Sequence, residues 1–544
     1  MKFLKKNILI ILIFILAVFL RFYRLDIYPA LNADEAAIGY NAYSLIKTGL
    51  DEHGNPWPVH FQSFNDYKPG LFFYIVLPFV KVLGLNIWSV RLPGAALGVF
   101  TVLAVYFLVK SLFESRKLSL ASAFLLAISP WHIQFSRGGW EVNASTFFIT
   151  SGLLFFVKGL RNSRYWIIST ILFVASLFTY HAARIVVPLL GLSVLLMYRH
   201  EVLKNLKGLV LPFLIGFILL VPLLLDFTKG AVASRAAGVG LFADPGPLNR
   251  INEQRGEHAD FSSLGTKIAH NKAVNYGLAF FENWLSHFHG EFLFLSGDSI
   301  QRNKVPETGG LYLFEILTLF VGLISVIKNW NKGWKFIILW LAVAPTAAAL
   351  TFQSPHSLRA ENMVIPLEII SALGLVKIFE LFAGFKNNRL AVVFKILFGA
   401  LIVWNFARYL HIYYLHMAKE YTFSSQYGVS ELVSYVMENK DKYQNIVVTD
   451  KYDQPYILFL FYSKFDPAAF QKDHQLSARD EFGFSTVRSF GNYRFINFGK
   501  WDDVRSEFPN SLIVGAPDEV PKEANIIKRV YGTNGFEYFD AVAN

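Results

Sequence analysis

Two adjacent carboxylates, Asp34 and Glu35, stand in the stretch Leu31-Asn32-Ala33-Asp34-Glu35-Ala36-Ala37, just past an apolar run that ends at Leu20. Carboxylates at a membrane surface are costly to hold without a task. The tasks open to them are handling a cation, a phosphate-bound metal or a proton. The plainer alternative is a helix start, with Asn32 or Asp34 accepting backbone N–H groups. Further on, Phe64-Asn65-Asp66-Tyr67-Lys68-Pro69-Gly70 carries Asp66 and Lys68 into a second apolar stretch. Lys68 can bind a lipid-borne phosphate as a point charge or snorkel to headgroups.

Other groups of the same kind recur at the ends of apolar runs. Ser129-Pro130-Trp131-His132-Ile133-Gln134-Phe135-Ser136-Arg137-Gly138-Gly139-Trp140-Glu141 contains Arg137 and Glu141, four apart and so on one face if helical. Thr179-Tyr180-His181-Ala182-Ala183-Arg184 and Ser354-Pro355-His356-Ser357-Leu358-Arg359 place an arginine beside Tyr180 and His356. His287 and His289 form a His-x-His, which a strand would point one way as metal ligands can be.

The elements that must position these groups are membrane spans. The chain of 544 residues is 54% hydrophobic and 16% aromatic, with 53 Phe and a mean hydropathy of +0.38. Only 17% is charged, against about 25% in an average soluble protein. Apolar runs of spanning length recur, which predicts a polytopic membrane protein. The net charge of +11 sits in short loops between apolar runs and is no nucleic-acid signal. With no cysteine, disulfides, thiolate metal sites and a cysteine nucleophile are excluded. The start, Met1-Lys2-Phe3-Leu4-Lys5-Lys6 followed by the apolar run, lacks a small-residue cleavage site and reads as a signal anchor.

Basic clusters at 110–117, 158–164, 199–207, 328–335 and 386–389 are assigned to the cytoplasm by the positive-inside rule. The loops 23–69, 131–141, 180–184, 227–310 and 352–361, and the tail from 415, then face outward. Parity requires an odd number of spans between 23–69 and 110–117. The stretch 71–84, short and carrying Pro78 and Lys81, is therefore predicted as an interfacial helix, with one span after Arg91. The reading gives about eleven spans in residues 1–414 and a small α/β domain over 415–544. Strands are expected at 446–449, 495–498 and 512–514, and helices at 453–463 and 502–508. Acids and bases thus gather on one face of a helical bundle. There a lipid phosphate could enter between spans, a carboxylate could deprotonate an acceptor hydroxyl, and Lys and Arg could stabilise the departing phosphate.

The order of these motifs (Asp34-Glu35, Lys68-Pro69, Arg91-Leu92-Pro93, Ser129-Pro130-Trp131-His132, Ser136-Arg137) resembles the membrane glycosyltransferases of the C-type fold. More narrowly, it resembles the protein O-mannosyltransferase and aminoarabinose-transferase superfamily, glycosyltransferase family 39 and its bacterial relatives. The resemblance covers roughly residues 1–415. It implies Asp34 as catalytic base with Glu35 beside it, and Asp66 as the acid preceding Lys68-Pro69. It also implies Lys68 at the donor phosphate and Glu141, the acid before the fourth span, in the substrate pocket. The residues themselves add the rest: Arg184 and Arg359 stand at outer span ends against the positive-inside bias, where a phosphate or anionic headgroup would partner them and interfacial anchoring is the plainer alternative. Arg137, which could instead pair locally with Glu141, is placed with them at the donor phosphate, and Tyr180 and His356 in the pocket. The two departures are Gly70, where the family often has a second proline, and an Asp66–Lys68 spacing one residue longer than in the nearest pattern. The donor implied is a polyprenyl-phosphate-linked sugar facing the outside, transferred with inversion to a glycan, lipid or protein hydroxyl. Some relatives hold a divalent metal ion near the donor phosphate, and the sequence leaves the metal open. The localisation implied is the plasma membrane, N-terminus cytoplasmic, site and tail extracytoplasmic. A flippase of lipid-linked sugars would share the charged outer face, but transporters often show internal repeats, and none is visible here. A non-catalytic scaffold leaves the acids and bases of the first loop without a reason.

Overall fold

The computed structural model of the protein describes residues 2–64, 66–227, 238–424, 426–452, 454–479 and 485–544. The chain divides into two compact units. The first comprises Met1–Arg21, Leu97–Ser136 and Glu141–Tyr409; the second comprises Phe22–Ala96, Arg137–Trp140 and Leu410–Asn544. The expected boundary at 414/415 falls close to the start of the Leu410–Asn544 segment, which packs with Phe22–Ala96 in the second unit.

The first unit is helical. Some of its helices start at side-chain caps: Ser115 accepts from Leu118 N–H, Asn331 from Trp334 N–H and Asn271 from Val274 N–H. Helices Glu141–Gly159 and Arg164–Leu177 pack together, with Ser169 Oγ donating to Gly152 O at 2.8 Å. Helices Phe314–Lys328 and Val364–Ala383 cross closely at Gly322 and Gly374, which face the backbone carbonyls of Ile370 and Thr318. Small residues at a crossing let two backbones approach, as in membrane bundles.

Among the described residues, four helices are long and apolar enough to cross a membrane: Ile87–Phe113, Glu141–Gly159, Lys207–Phe227 and Asn388–Glu420. The pair Arg116–Ile128 and Pro130–Arg137, bent by 56°, would make a fifth. The expected count of about eleven therefore rests on shorter helices such as Arg164–Leu177 and Ala183–Met197, and on Val364–Ala383, which carries Glu368, Lys377 and Glu380.

The second unit begins with helix Ala33–Thr48, followed by an antiparallel hairpin of β1 (His60–Ser63) and β2 (Asp66–Pro69). Helix Leu71–Leu83 follows, thirteen residues long and separated from Ile87–Phe113 at Gly84. Such a helix is about 20 Å long, short of the ~30 Å hydrocarbon core, in keeping with the expected short helix over 71–84.

The C-terminal residues build a seven-stranded mixed sheet from β3 (Asn445–Thr449), β4 (Gln475–Leu476), β5 (Val487–Phe490), β6 (Tyr493–Ile496), β7 (Ser511–Gly515), β8 (Ile526–Tyr531) and β9 (Glu537–Ala543). Its order is β4-β5-β6-β3-β7-β9-β8, with β3 parallel to both β6 and β7 and the other pairs antiparallel. The strands expected at 446–449 and 512–514 are present, and β6 lies two residues before the expected 495–498. Helices Pro455–Ser463 and Trp501–Glu507 match the expected ones; Asp453 lies outside the described residues. Apolar alternation fills one core from Val447, Ile513, Val504 and Phe498, with Ile496, Trp501 and Phe508 against it.

Candidate active site

Helix Ala33–Thr48 opens with a capping box. Asn32 Oδ1 accepts from Glu35 N–H at 3.0 Å, and Asn32 N–H donates to Glu35 Oε2 at 3.2 Å. This reciprocal cap satisfies donors that a helix start leaves open. The helix-cap alternative is thus realised by Asn32 and Glu35, and Asp34 is left to point elsewhere. Among the described residues from Leu31 to Ala42, Asp34 alone is not buried.

Glu35 is committed. Its side chain is fully buried, and Arg91 donates Nε to Oε1 at 2.7 Å and Nη2 to Oε2 at 2.8 Å. Asn32 Nδ2 adds 2.9 Å to Oε2, and Gly139 N–H adds 2.7 Å to Oε1. Arg91 also donates to the carbonyls of Leu25, Pro29 and Ala30. A carboxylate with this many partners fixes the turn that carries Asp34, and Glu35, expected as a catalytic neighbour, stands directly beside it.

Lys68 Nζ donates to Asp34 Oδ1. The lysine side chain is 10% exposed and the Asp34 side chain 24%. Lys68 reaches Asp34 because the hairpin pairs it with Phe61, and its ammonium lies 4.9 Å from the Phe64 ring centroid. Asp66, two residues earlier on β2, shares the Lys68 face of the strand; it is buried, and its Oδ1 accepts from Tyr67 N–H at 2.9 Å. The Gly70 departure has a physical reason. Gly70 N–H donates to Val59 O at 2.9 Å, a bond proline could not make, and a Cβ there would stand 2.7 Å from the same oxygen.

Arg137, expected at the donor phosphate, is held by a tyrosine and by backbone carbonyls. It is fully buried, donating Nε to Tyr413 Oη at 3.0 Å and Nη2 to the carbonyls of Arg24 and Tyr28 at 3.2 and 3.0 Å. Its guanidinium lies 5.3 and 5.5 Å from the Tyr413 and Tyr414 ring centroids. The expected shared face of Arg137 and Glu141 fails because helix Pro130–Arg137 ends and a new helix starts at Glu141, with Gly138-Gly139 between.

The remaining expected residues belong to the first unit. Glu141 is buried in the first turn of its helix. Tyr180 is buried in the turn before helix Ala183–Met197, where Arg184 Nη1 lies 3.1 Å from His181 Nδ1. In the 350–360 loop, Arg359 Nη1 donates to Thr351 Oγ1 at 2.7 Å. His356 is buried, with Nδ1 3.6 Å from Asp298 Oδ2. Asp298 ties this loop down by accepting from Ser357 N–H and Oγ at 2.7 and 2.8 Å. The His-x-His is not on a strand. It lies in the turn after helix Lys272–Ser286, where His287 Nδ1 bonds Asn283 O at 2.8 Å and its Nε2 accepts from His356 N–H at 3.2 Å.

A family model described as dolichyl-phosphate-mannose-protein mannosyltransferase matches residues 67–225. A search of curated proteins gives no match. Among solved structures, ArnT from Cupriavidus metallidurans in the apo state superposes with TM-score 0.55 and 12% identity, covering 98% of this chain and 97% of that one. The same protein bound to undecaprenyl phosphate gives TM-score 0.55 and 12% identity, with 98% of each chain covered. The oligosaccharyltransferase AglB from Archaeoglobus fulgidus, in complex with an inhibitory peptide and a dolichol-phosphate, gives TM-score 0.51 and 14% identity over 85% of this chain. This chain spans 64% of that oligosaccharyltransferase's length. The fold is that of the C-type membrane glycosyltransferases.

In this glycosyltransferase fold, two residues outside the expected site set hold the turn that carries Asp34. Arg91 was visible as a cation at the start of an apolar helix, which is itself a sign of a buried anionic partner. Gln426, whose Oε1 accepts from Ala33 N–H at 2.8 Å, carries no local signal. Among the described residues, no group of three or more His, Asp or Glu is placed to hold a metal ion. Asp34 and Glu35 are each paired with a cation, Asp34 with Lys68 and Glu35 with Arg91.

Proposed function

We propose that this chain is a multi-pass membrane glycosyltransferase that moves a sugar from a polyprenyl-phosphate donor to an acceptor hydroxyl on the outer side. Asp34 is the general base and Lys68 the donor-phosphate ligand. The observation that carries this is the pairing of the accessible Asp34 carboxylate with the Lys68 ammonium, inside a fold shared with a protein captured with undecaprenyl phosphate. Asp34 takes the acceptor's proton as its oxygen attacks the anomeric carbon. The bond from that carbon to the phosphate oxygen breaks, and the polyprenyl phosphate leaves with its charge met by Lys68. Attack opposite the leaving group inverts the anomeric centre. A donor phosphate entering the site competes with Asp34 for Lys68, so its arrival frees the base.

The test is incubation of purified protein in detergent with a panel of labelled undecaprenyl-phosphate hexoses and pentoses, with an envelope extract as acceptor. Release of undecaprenyl phosphate by the wild type and not by Asp34→Asn supports the reading. Translocation of the lipid-linked sugar in vesicles without release would make the chain a flippase instead.

A further inference from the structure

The helix that carries Asp34 is held along its length by residues from the other end of the chain. Gln426, 393 residues away, accepts from Ala33 N–H at 2.8 Å. Tyr40 Oη donates to Phe465 O at 3.1 Å. Gln471 Nε2 lies 2.9 Å from Ser44 Oγ, 3.0 Å from Thr48 Oγ1 and 2.8 Å from Asp51 O. All these residues fall in the second compact unit.

The contact at Gln426 differs in kind from the other two. Ala33 is the first helical residue, and its N–H is one of the donors that a helix cannot satisfy internally. The capping box already uses Asn32 Oδ1 on Glu35 N–H, so the acceptor for Ala33 must come from elsewhere. Gln426 supplies it from a buried position, with φ at 55° in the left-handed region. The segment that presents it is fastened to the C-terminal sheet. Thr422 Oγ1 lies 3.1 Å from Thr533 Oγ1, Tyr538 Oη donates to Phe423 O at 3.5 Å, and Gln426 N–H donates to Phe423 O at 3.0 Å. The sheet, through this segment, thus fixes the peptide immediately before Asp34.

We propose that Gln426 is a positioning residue for the Asp34 carboxylate, through which the C-terminal sheet helps to aim it, whereas Gln471 is an anchor of the same helix without a catalytic consequence. This rests on the reading of Asp34 as base. Asp34 is flanked by two held residues, Glu35 through Arg91 and Ala33 through Gln426. Loss of either lets the first turn move, and small displacements of a reacting group cost rate steeply.

Three variants test this: Gln426→Leu, Gln426→Glu and Gln471→Leu. The first readout is hydrogen–deuterium exchange of the full-length protein in detergent. Gln426→Leu should speed exchange at the start of the Asp34 helix about tenfold, the effect of losing one net hydrogen bond, and Gln471→Leu should speed it only around residues 44–51. The second readout is turnover of the undecaprenyl-phosphate sugar panel. Gln426→Leu should lower kcat about tenfold to hundredfold with donor KM unchanged, while Gln471→Leu leaves kcat unchanged. Gln426→Glu keeps the accepting oxygen, so it should restore turnover with the pH–rate profile moved to higher pH, because a second carboxylate nearby raises the base's proton affinity. Unchanged exchange and kcat in Gln426→Leu, or equal loss in both leucine variants, would overturn the proposal. If the wild type itself turns over no sugar of the panel, the transferase reading fails, and the exchange pattern alone decides whether Gln426 holds the turn.

Discussion

Glu35 and Arg91 form a fully buried, two-bond ion pair, at 2.7 and 2.8 Å, that sets the first turn of the helix bearing Asp34. Each partner's remaining capacity is also met, by Asn32 and Gly139 for the carboxylate and by three carbonyls for the guanidinium. Such a pair gives little net stability against an apolar replacement, but breaking it leaves an uncompensated buried charge. Its structural effect is orientation: Glu35 turned inward leaves Asp34 turned out.

Arg91→Ala should therefore destabilise the protein by about 3–5 kcal/mol, read as a lowered thermal midpoint in detergent. Arg91→Lys should recover only part of that loss, because an ammonium cannot span both carboxylate oxygens and the carbonyls in one plane. A midpoint equal to wild type in Arg91→Ala would show that the pair does not hold the turn.

Asp34→Asn should lower sugar transfer by about 10²–10⁴-fold while its thermal midpoint stays within a few degrees of wild type. Lys68→Ala should weaken binding of undecaprenyl phosphate itself by about tenfold or more, the worth of a charge-assisted hydrogen bond. Titration of the purified protein with that lipid measures the second effect independently of turnover, and equal affinities would remove Lys68 from the phosphate.

Gly374→Ala should destabilise the helical unit by about 1–3 kcal/mol. A Cβ there meets the backbone carbonyl of Thr318, which no rotamer change can relieve. The helices Phe314–Lys328 and Val364–Ala383 must then separate. Thermal unfolding followed by circular dichroism reads this, and an unchanged midpoint would mean the two helices part at no cost.

His287 gives the protein a sensitivity to acid. Burial pushes its imidazole down to about 4, partly opposed by its bond to Asn283 O and by nearby Asp298. The unfolded chain takes up this proton near pH 6.5 and the folded one only near pH 4. Stability from the neutral ring is therefore complete above about pH 6.5 and falls as the pH drops toward 4, by at most about 3 kcal/mol. His287→Asn should flatten the thermal midpoint across that window relative to wild type. An identical slope in both proteins would assign the acid sensitivity elsewhere.

The parts of this architecture that depend on neighbours in sequence could be read before the structure. Asn32 three residues before Glu35 gives the helix start, and the apolar runs at 446–449 and 512–514 give the two central strands of the sheet. The spacing rule misled at Arg137 and Glu141, where Gly138-Gly139 breaks the helix that would have aligned them. Hydropathy gives apolar runs but not where they bend, and the 56° turn between Ile128 and Pro130 falls inside one such run. Nothing near Gln426 marks it as the partner of Ala33, because that bond joins segments 393 residues apart.

The second unit is assembled from three stretches of chain, 22–96, 137–140 and 410–544. A ribosome delivers the Asp34 helix well before its Gln426 partner, with the helices of residues 97–409 made in between. The turn that carries Asp34 consequently gains its Gln426 partner only after the intervening helices have been made. A chain cut short anywhere before its final sheet would carry all the acids and bases of the first loop and still lack the scaffold that aims them.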